Sequence, residues 1–442
     1  MNTGSRPSFN ALGVAAEITE ALAETGITHA FAIQEYTLPI ALKGSDVIGQ
    51  ARTGMGKTLG FGIPVLDRVF DDAAVTAPDG TPRALIVVPT RELCLQVTDD
   101  LTAAAKNLRV PVGAEGASPR KSKTRALQVQ AVYGGVGFEK QTAALTSGAD
   151  VIVGTPGRLL DLSRQGHLQL ETVEIVVLDE ADEMLDQGFL DDVRDIITQT
   201  SPKRQTMLFS ATMPGPIAAL TRTLMHHPIL IQADSAATEA THETTKQVVF
   251  QSHKLDRLSA LARILQSPGR GRSIVFARTK RQAANVAQEL AELGFRVGAV
   301  HGDMRQKDRE ESLSEFRRNE TDVMVATDVA ARGIDIEDVT HVINYQVPDD
   351  ERTYVHRIGR TGRAGNTGTA VSLIGWDEVT RWNAINEALG LGLSDPPQWF
   401  SSSKEFLAEF GLPESISDRI GPARGVKGAA LKVKKSSRRP RR

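Results

Sequence analysis

Short runs of β-branched and aliphatic residues recur along this chain, each followed by small or polar residues and then by a helix-like stretch. In the first half they are Val47 Ile48, Leu85 to Val88, Val151 to Val153, Ile175 to Leu178 and Met207 to Phe209. A second series runs Ser273 to Phe276, Val297 to Val300, Val323 to Ala326, Val342 to Asn344 and Ala370 to Ile374, separated by stretches such as Arg281 to Leu293. Strands alternating with helices are the pattern of a parallel sheet wrapped by helices. Between the series, Ala233 to Glu243 is polar and small with no apolar periodicity, which marks a linker. The expected fold is therefore α/β with two lobes, residues 1–232 and 244–395, joined by 233–243 and followed by an extension over 396–442. A chain of 442 residues is too long for one ordinary core, in agreement. No repeat exists at the level of residue identity, so the duplication is one of pattern only.

Cys94 is the only cysteine, which excludes a disulfide framework and a thiolate metal cluster and favours a reducing compartment, the cytoplasm. Met1 to Asn10 is polar and no later stretch is apolar and long enough to span a bilayer, so neither secretion nor a membrane partner is expected. The formal net charge of -2 hides a polarised chain. From Gly421 onward there are Arg424, Lys427, Lys432, Lys434, Lys435, Arg438, Arg439, Arg441 and Arg442 without a carboxylate. From Pro422 the chain lacks the apolar residues needed to bury a core and reads as a disordered basic tail, either a nonspecific anchor for a polyanion or a solubilising or transport-related end. Gly113 to Arg125, with Arg120, Lys121, Lys123 and Arg125, reads as a basic surface loop.

One apolar run leads into Ala51 Arg52 Thr53 Gly54 Met55 Gly56 Lys57 Thr58, and another, Val176 Val177 Leu178, stops at Asp179 Glu180 Ala181 Asp182. Small residues let backbone N–H groups curl toward phosphate oxygens, Lys57 supplies a point charge, and the Thr58 hydroxyl can reach Mg²⁺. Asp179 can hold the magnesium shell through water while Glu180 orients and deprotonates the attacking water. Either motif alone has a bland alternative, a chance glycine loop or a solvated acidic turn. Both in one lobe, in this order, point to nucleoside triphosphate hydrolysis. In the second lobe His356 Arg357 Ile358 Gly359 Arg360 Thr361 Gly362 Arg363 sets two arginines three apart, whose planar forks suit phosphate oxygens.

The motif series resembles that of the DEAD-box ATP-dependent RNA helicases from about Phe9 to about Ile374. In family order it comprises Gln34, Ala51 to Thr58, Pro89 to Leu93, Gly134 Gly135, Thr155 to Arg158, Asp179 to Asp182 and Ser210 Ala211 Thr212. The second lobe continues with Ile274 to Phe276, His301 Gly302, Ala326 to Asp328, Arg332 to Asp335 and His356 to Arg363. The resemblance implies two tandem RecA-like domains, each a parallel sheet flanked by helices, with ATP and Mg²⁺ as cofactors. It also implies single-stranded or duplex RNA as partner, ribonucleoprotein complexes as a possible setting, and a monomeric chain.

By the same resemblance Gln34 would read the adenine edge and Phe9 would stack on the ring, while Thr53, Gly54, Gly56, Lys57 and Thr58 cradle phosphate. Asp335 would accept from the ribose, and Arg360 and Arg363 would contact the γ-phosphate from the second lobe. Arg91, Gly135, Thr155, Arg158, Gly302 and Thr327 would grip one RNA strand by its backbone; Ser210 and Thr212 would link the nucleotide site to a contact made by His356. Helix caps and tight turns are the plain alternatives for these threonines and glycines. Where the family has Pro-Thr-Pro-Ile-Gln this chain has Ala30 Phe31 Ala32 Ile33 Gln34, which removes two ring constraints and a hydroxyl and leaves base selectivity open. A protein remodeller or DNA translocase with a similar motor, and a nonhydrolysing RNA clamp, are the rival readings.

Overall fold

The computed structural model describes residues 6–51, 55–77, 79–111, 124–232, 245–331, 339–362 and 367–426. The chain divides into two compact units, the first ending beyond Gln232 and the second beginning before Thr245.

The first unit carries β1 (Val47–Gln50), β2 (Ala84–Val87), β3 (Arg109–Pro111), β4 (Thr124–Ala126), β5 (Val129–Val132), β6 (Val151–Gly154), β7 (Ile175–Asp179), β8 (Gln205–Ser210) and β9 (Ile229–Gln232). Seven of these form a parallel sheet in the order β5-β6-β2-β7-β8-β1-β9, with β3 and β4 a separate antiparallel pair. The interior strands are buried along their whole length because helices pack on both faces, which is why they read as unbroken apolar runs. One apolar cluster, with Ile86, Val177 and Phe209, lies on one side of the sheet; another, with Leu85, Val176 and Leu208, lies on the other.

The second unit carries β10 (Thr245–Gln251), β11 (Arg272–Phe276), β12 (Val297–Val300), β13 (Val323–Ala326), β14 (Val339–Asn344) and β15 (Gly368–Ile374), a parallel sheet in the order β10-β15-β14-β11-β13-β12. The sequence pattern finds the interior strands of both sheets but not β5, β9 and β10, all at sheet edges. There the unpaired side tolerates polar residues, so Val129–Val132 reads VQAV and Thr245–Gln251 opens with Thr-Lys-Gln.

Residues of the C-terminal extension pack on this second sheet. Gln251 N donates to Pro397 O and Trp399 N to Gln251 O, which lengthens the edge at β10. The Phe250 ring meets Trp399, Phe406 and Phe410 at centroid distances of 5.3, 5.7 and 6.3 Å. Arg424 N donates to Ala291 O, and Val426 packs on the same core, so the ordered chain runs past Pro422. The tail from Lys427 lies outside the described residues, as do residues 233–244 of the linker region.

Arg125, expected in a basic surface loop, instead sits in β4. Its two terminal nitrogens each lie 2.6 Å from an oxygen of the fully buried Asp150. A buried carboxylate left alone would be costly, so this bidentate partner is structural. The rest of that loop, with Arg120, Lys121 and Lys123, lies outside the described residues. Burial pushes the Cys94 thiol up to about 12, which keeps it protonated and chemically quiet. No helix among the described residues is long and apolar enough to cross a membrane.

His341 in β14 gives the second unit an acid-sensitive element. Burial, aided by the Arg270 charge, pushes its imidazole down to about 4. Between about pH 4 and 6.5 the unfolded chain binds a proton that the folded one refuses, so stability is full above that window and is lost as pH falls through it. Urea unfolding at pH 5 against pH 7 should show a loss of about 2 kcal/mol from this group. His341→Asn should flatten that difference; an equal loss in the variant would assign it elsewhere.

Candidate functional site

In the first unit the proposed residues gather at the C-terminal ends of the parallel strands, the side on which crevices form in open α/β sheets. The helix Lys57–Asp71 begins at Gly56, which has φ 78° and serves as its N-cap. Only glycine suits this position. Beyond the left-handed backbone, a Cβ there would fall 2.5 Å from Gln34 Nε2 and 2.8 Å from Phe31 Cδ2. Lys57 and Thr58 occupy the first turn of this helix, where unsatisfied N–H groups favour an anion. Lys57 is 6% exposed, yet its Nζ has no hydrogen-bond partner among the described residues. Thr53 and Gly54 lie outside the described residues.

Asp179 ends β7 and is buried. Burial pushes its carboxyl up to about 7, with Glu180 and Asp182 pushing the same way and the Lys57 charge pulling down, so Lys57 and Asp179 face each other electrostatically. Glu180 follows with φ 51° and ψ 51°, a left-handed conformation uncommon outside glycine, and its N–H donates to Asp179 Oδ1 at 2.9 Å. A strained backbone of this kind costs on the order of 1–3 kcal/mol and is often found at functional sites. The helix Ala181–Asp186 starts immediately after it.

Asp182, which motif reading left without a role, ties the first turn of the helix Ala181–Asp186 to the loop after β8. Its Oδ2 accepts from Thr212 N at 2.9 Å and from Thr212 Oγ1 at 2.8 Å. Ser210 Oγ donates to Thr212 O at 2.7 Å and accepts from Asp182 N at 3.2 Å. The loop after β8 is thus pinned to the helix after β7, and Ser210 O also accepts from Ala51 N at the start of the phosphate loop.

Gln34 is 1% exposed and already doubly engaged: its Oε1 accepts from Phe31 N and its Nε2 donates to Gly56 O, both at 2.8 Å. It therefore couples the loop before the helix Ala32–Ala41 to the phosphate loop, and keeps one N–H and one lone pair for a base. Phe9 is not where stacking needs it. The ring is 2% exposed and belongs to the core cluster with Val14, Ile18 and Leu22, because the apolar residues after it form a helix that packs inward.

The RNA-contact candidates of this unit lie on the neighbouring strand ends. Arg91 begins the helix Arg91–Ala104 with its guanidinium 4.5 Å from the Tyr133 ring centroid. A Cβ on Gly135, whose φ is 84°, would lie 3.3 Å from Arg91 Nη1. Arg158 donates twice to Val136 O at 3.3 Å and lies over the Phe138 ring. Thr155 stands at the N-cap of the helix Pro156–Arg164 without making the cap hydrogen bond, whereas Thr90 does cap its own helix. A plain capping role thus explains Thr90 but not Thr155.

In the second unit Gly302 and Thr327 follow the ends of the paired strands β12 and β13, and Thr327 N donates to Val300 O. Gly302 is exposed and a Cβ there would meet nothing within 4 Å, so packing does not demand glycine. His356 lies in the last turn of the helix Glu351–Ile358, half-buried, and Arg360 follows one turn later, buried. Arg357 between them is 1% exposed and makes a bidentate pair with Asp328 at 2.6 and 2.7 Å, while its Nη1 donates to Asn344 Oδ1 and Gln346 O. This buried arginine fixes the helix end carrying His356 and Arg360 to the residue after Thr327, a positioning role the motif alone does not reveal. Asp335 and Arg363 lie outside the described residues.

Two parallel-sheet units, the first with a phosphate loop opposite an acidic strand end, define a tandem RecA-like nucleotide hydrolase. Residues 31–220 match the DEAD/DEAH box helicase family and residues 256–365 the helicase conserved C-terminal domain. The chain is 41% identical over 378 residues to the DEAD-box ATP-dependent RNA helicase CshA of Geobacillus kaustophilus, covering 86% of this chain and 76% of that one. It is 39% identical over 369 residues to the DEAD-box ATP-dependent RNA helicase RhpA of Helicobacter pylori, covering 84% and 70%. Among solved structures, S. cerevisiae Dbp5 bound to RNA and ADP BeF3 aligns with a TM-score of 0.74 at 28% identity over 88% of this chain and 95% of that one. This chain belongs to the DEAD-box family of ATP-dependent RNA helicases.

Proposed function

We propose that this chain couples ATP binding and hydrolysis to local unwinding of RNA duplexes or remodelling of RNA–protein complexes, with the labour divided between its two units. The observation that carries this reading is the Lys57 ammonium, buried at a helix N-terminus with no acceptor on Nζ among the described residues. Burying an ammonium without a hydrogen-bond acceptor is costly even with the Asp179 carboxyl nearby, and a nucleotide phosphate supplies the missing lone pairs.

ATP lies with its phosphates on the first turn of the helix Lys57–Asp71 and its base near Gln34. Asp179 and Thr58 offer hard oxygen donors of the kind Mg²⁺ takes together with phosphate oxygens, Asp179 through water. Bound there, the ion would neutralise charge building on the β- and γ-phosphates. Glu180 orients the attacking water and takes its proton. Arg360 and Arg363 contact the γ-phosphate and Asp335 accepts from the ribose when RNA is gripped. Arg91, Gly135, Thr155, Arg158, Gly302 and Thr327 hold one strand by its sugar-phosphate backbone, which positions it without reading sequence. A strand bent by that grip cannot stay paired, so separation is local. Release follows hydrolysis, with the tie from Asp182 to Ser210 and Thr212 in the first unit and His356 in the second as the coupling residues. We further propose a monomer working in the cytoplasm.

Lys57→Ala removes a charge-assisted phosphate contact and should weaken ADP binding by roughly 10-fold or more. Calorimetric titration of the full chain measures this; unchanged affinity would remove Lys57 from the site.

A further inference from the structure

We propose that Phe31 is a base-stacking residue of the nucleotide site, contributing affinity for any nucleobase, a reading that rests on the site assigned above to Lys57 and Gln34. Phe31 is the N-cap of the helix Ala32–Ala41, with φ −76° and ψ 163°. A side chain at this position ordinarily accepts a hydrogen bond from the first turn, and a phenyl ring has no acceptor to offer. Only half of the reciprocal cap is present: Gln34 Oε1 accepts from Phe31 N, and no side-chain oxygen answers. The chain forgoes that cap and leaves the ring 37% exposed.

The ring's place gives the exposure a use. It lies so close to Gly56, the residue that opens the phosphate-binding helix, that a Cβ there would come within 2.8 Å of Phe31 Cδ2. It also sits beside the Gln34 amide, whose nitrogen bonds Gly56 O. The Arg6 guanidinium carbon stands 5.0 Å from the ring centroid, a cation on a ring that is otherwise partly open. A base brought to Gln34 from phosphates on Lys57 therefore arrives at Phe31. Phe9, buried in the core, has no open face to offer it. Because every base presents a π-face, stacking is indifferent to base identity, and choice among bases stays with Gln34.

The test titrates the full chain with ADP, GDP and inorganic tripolyphosphate in the wild type, Phe31→Ala, Phe31→Thr and Lys57→Ala. Both Phe31 variants should bind ADP and GDP roughly 5-fold or more weakly and bind tripolyphosphate as the wild type does. Phe31→Thr, which restores a capping hydroxyl, should melt no lower than the wild type. Unchanged ADP affinity in the Phe31 variants overturns the proposal. So does a loss of tripolyphosphate binding equal to the loss for ADP, which would mean the ring only props the loop. If Lys57→Ala binds all three ligands normally, the underlying nucleotide site is misplaced, an outcome distinct from failure of Phe31 alone.

Discussion

Replacing Glu180 with glutamine should cut RNA-stimulated ATP hydrolysis by roughly 10²-fold or more while sparing ATP-dependent RNA binding. The amide keeps the size of the side chain and leaves the backbone donor to Asp179 Oδ1 untouched, so the loop and the helix after it should hold. What disappears is the base. Glu180 also pushes the Asp179 carboxyl up, so neutralising it makes Asp179 ionise more readily and should not weaken the metal–nucleotide complex. Phosphate release with saturating single-stranded RNA gives the rate, and RNA retention with ATP gives the binding. Turnover near wild type in this variant would assign the base elsewhere.

Asp328→Ala should destabilise the second unit by roughly 3 kcal/mol, near the low end for a broken buried pair because the Asp328 side chain is 22% exposed. Arg357, itself buried, would keep its bonds from Nη1 to Asn344 and Gln346 but lose the partner of Nε and Nη2. Against a typical domain stability of about 5–15 kcal/mol the loss is large. Asp328→Asn, which keeps an acceptor and loses the charge, should fall between. Chemical denaturation of the full chain followed by a probe in the second unit measures both. An unchanged midpoint in Asp328→Ala would show that the pair is not what holds the helix end with His356 and Arg360 beside Thr327.

The parts of this molecule legible in its sequence are those where local pattern and tertiary setting agree. Interior strands such as Ile175–Asp179 are buried on both faces and declare themselves as unbroken apolar runs; Asp179 ends that run, and Lys57 follows the run of β1 after a short loop. The edge strands β5 and β10 are masked by their polar residues, whereas the edge strand β12, buried along its length, is as legible as an interior one. Contacts between distant segments were hidden for another reason: nothing near Arg357 in the chain says that its guanidinium meets Asp328, nor near Gln34 that its amide is held by Gly56 O. Phe9 was misplaced because an aromatic upstream of Gln34 can serve a base or a core equally well, and only packing against Val14 and Ile18 decides. Arg125 shows the same limit, a cation that composition assigns to solvent and Asp150 claims.

The proposed division of labour requires residues of both units for one reaction. ATP turnover of the full chain, measured with and without single-stranded RNA in the wild type and in Arg360→Ala, tests this most directly. Low turnover that RNA raises in the wild type, and that RNA fails to raise in Arg360→Ala although ADP still binds, is the predicted result. Hydrolysis indifferent to RNA, or an Arg360→Ala chain that RNA stimulates like the wild type, would contradict it.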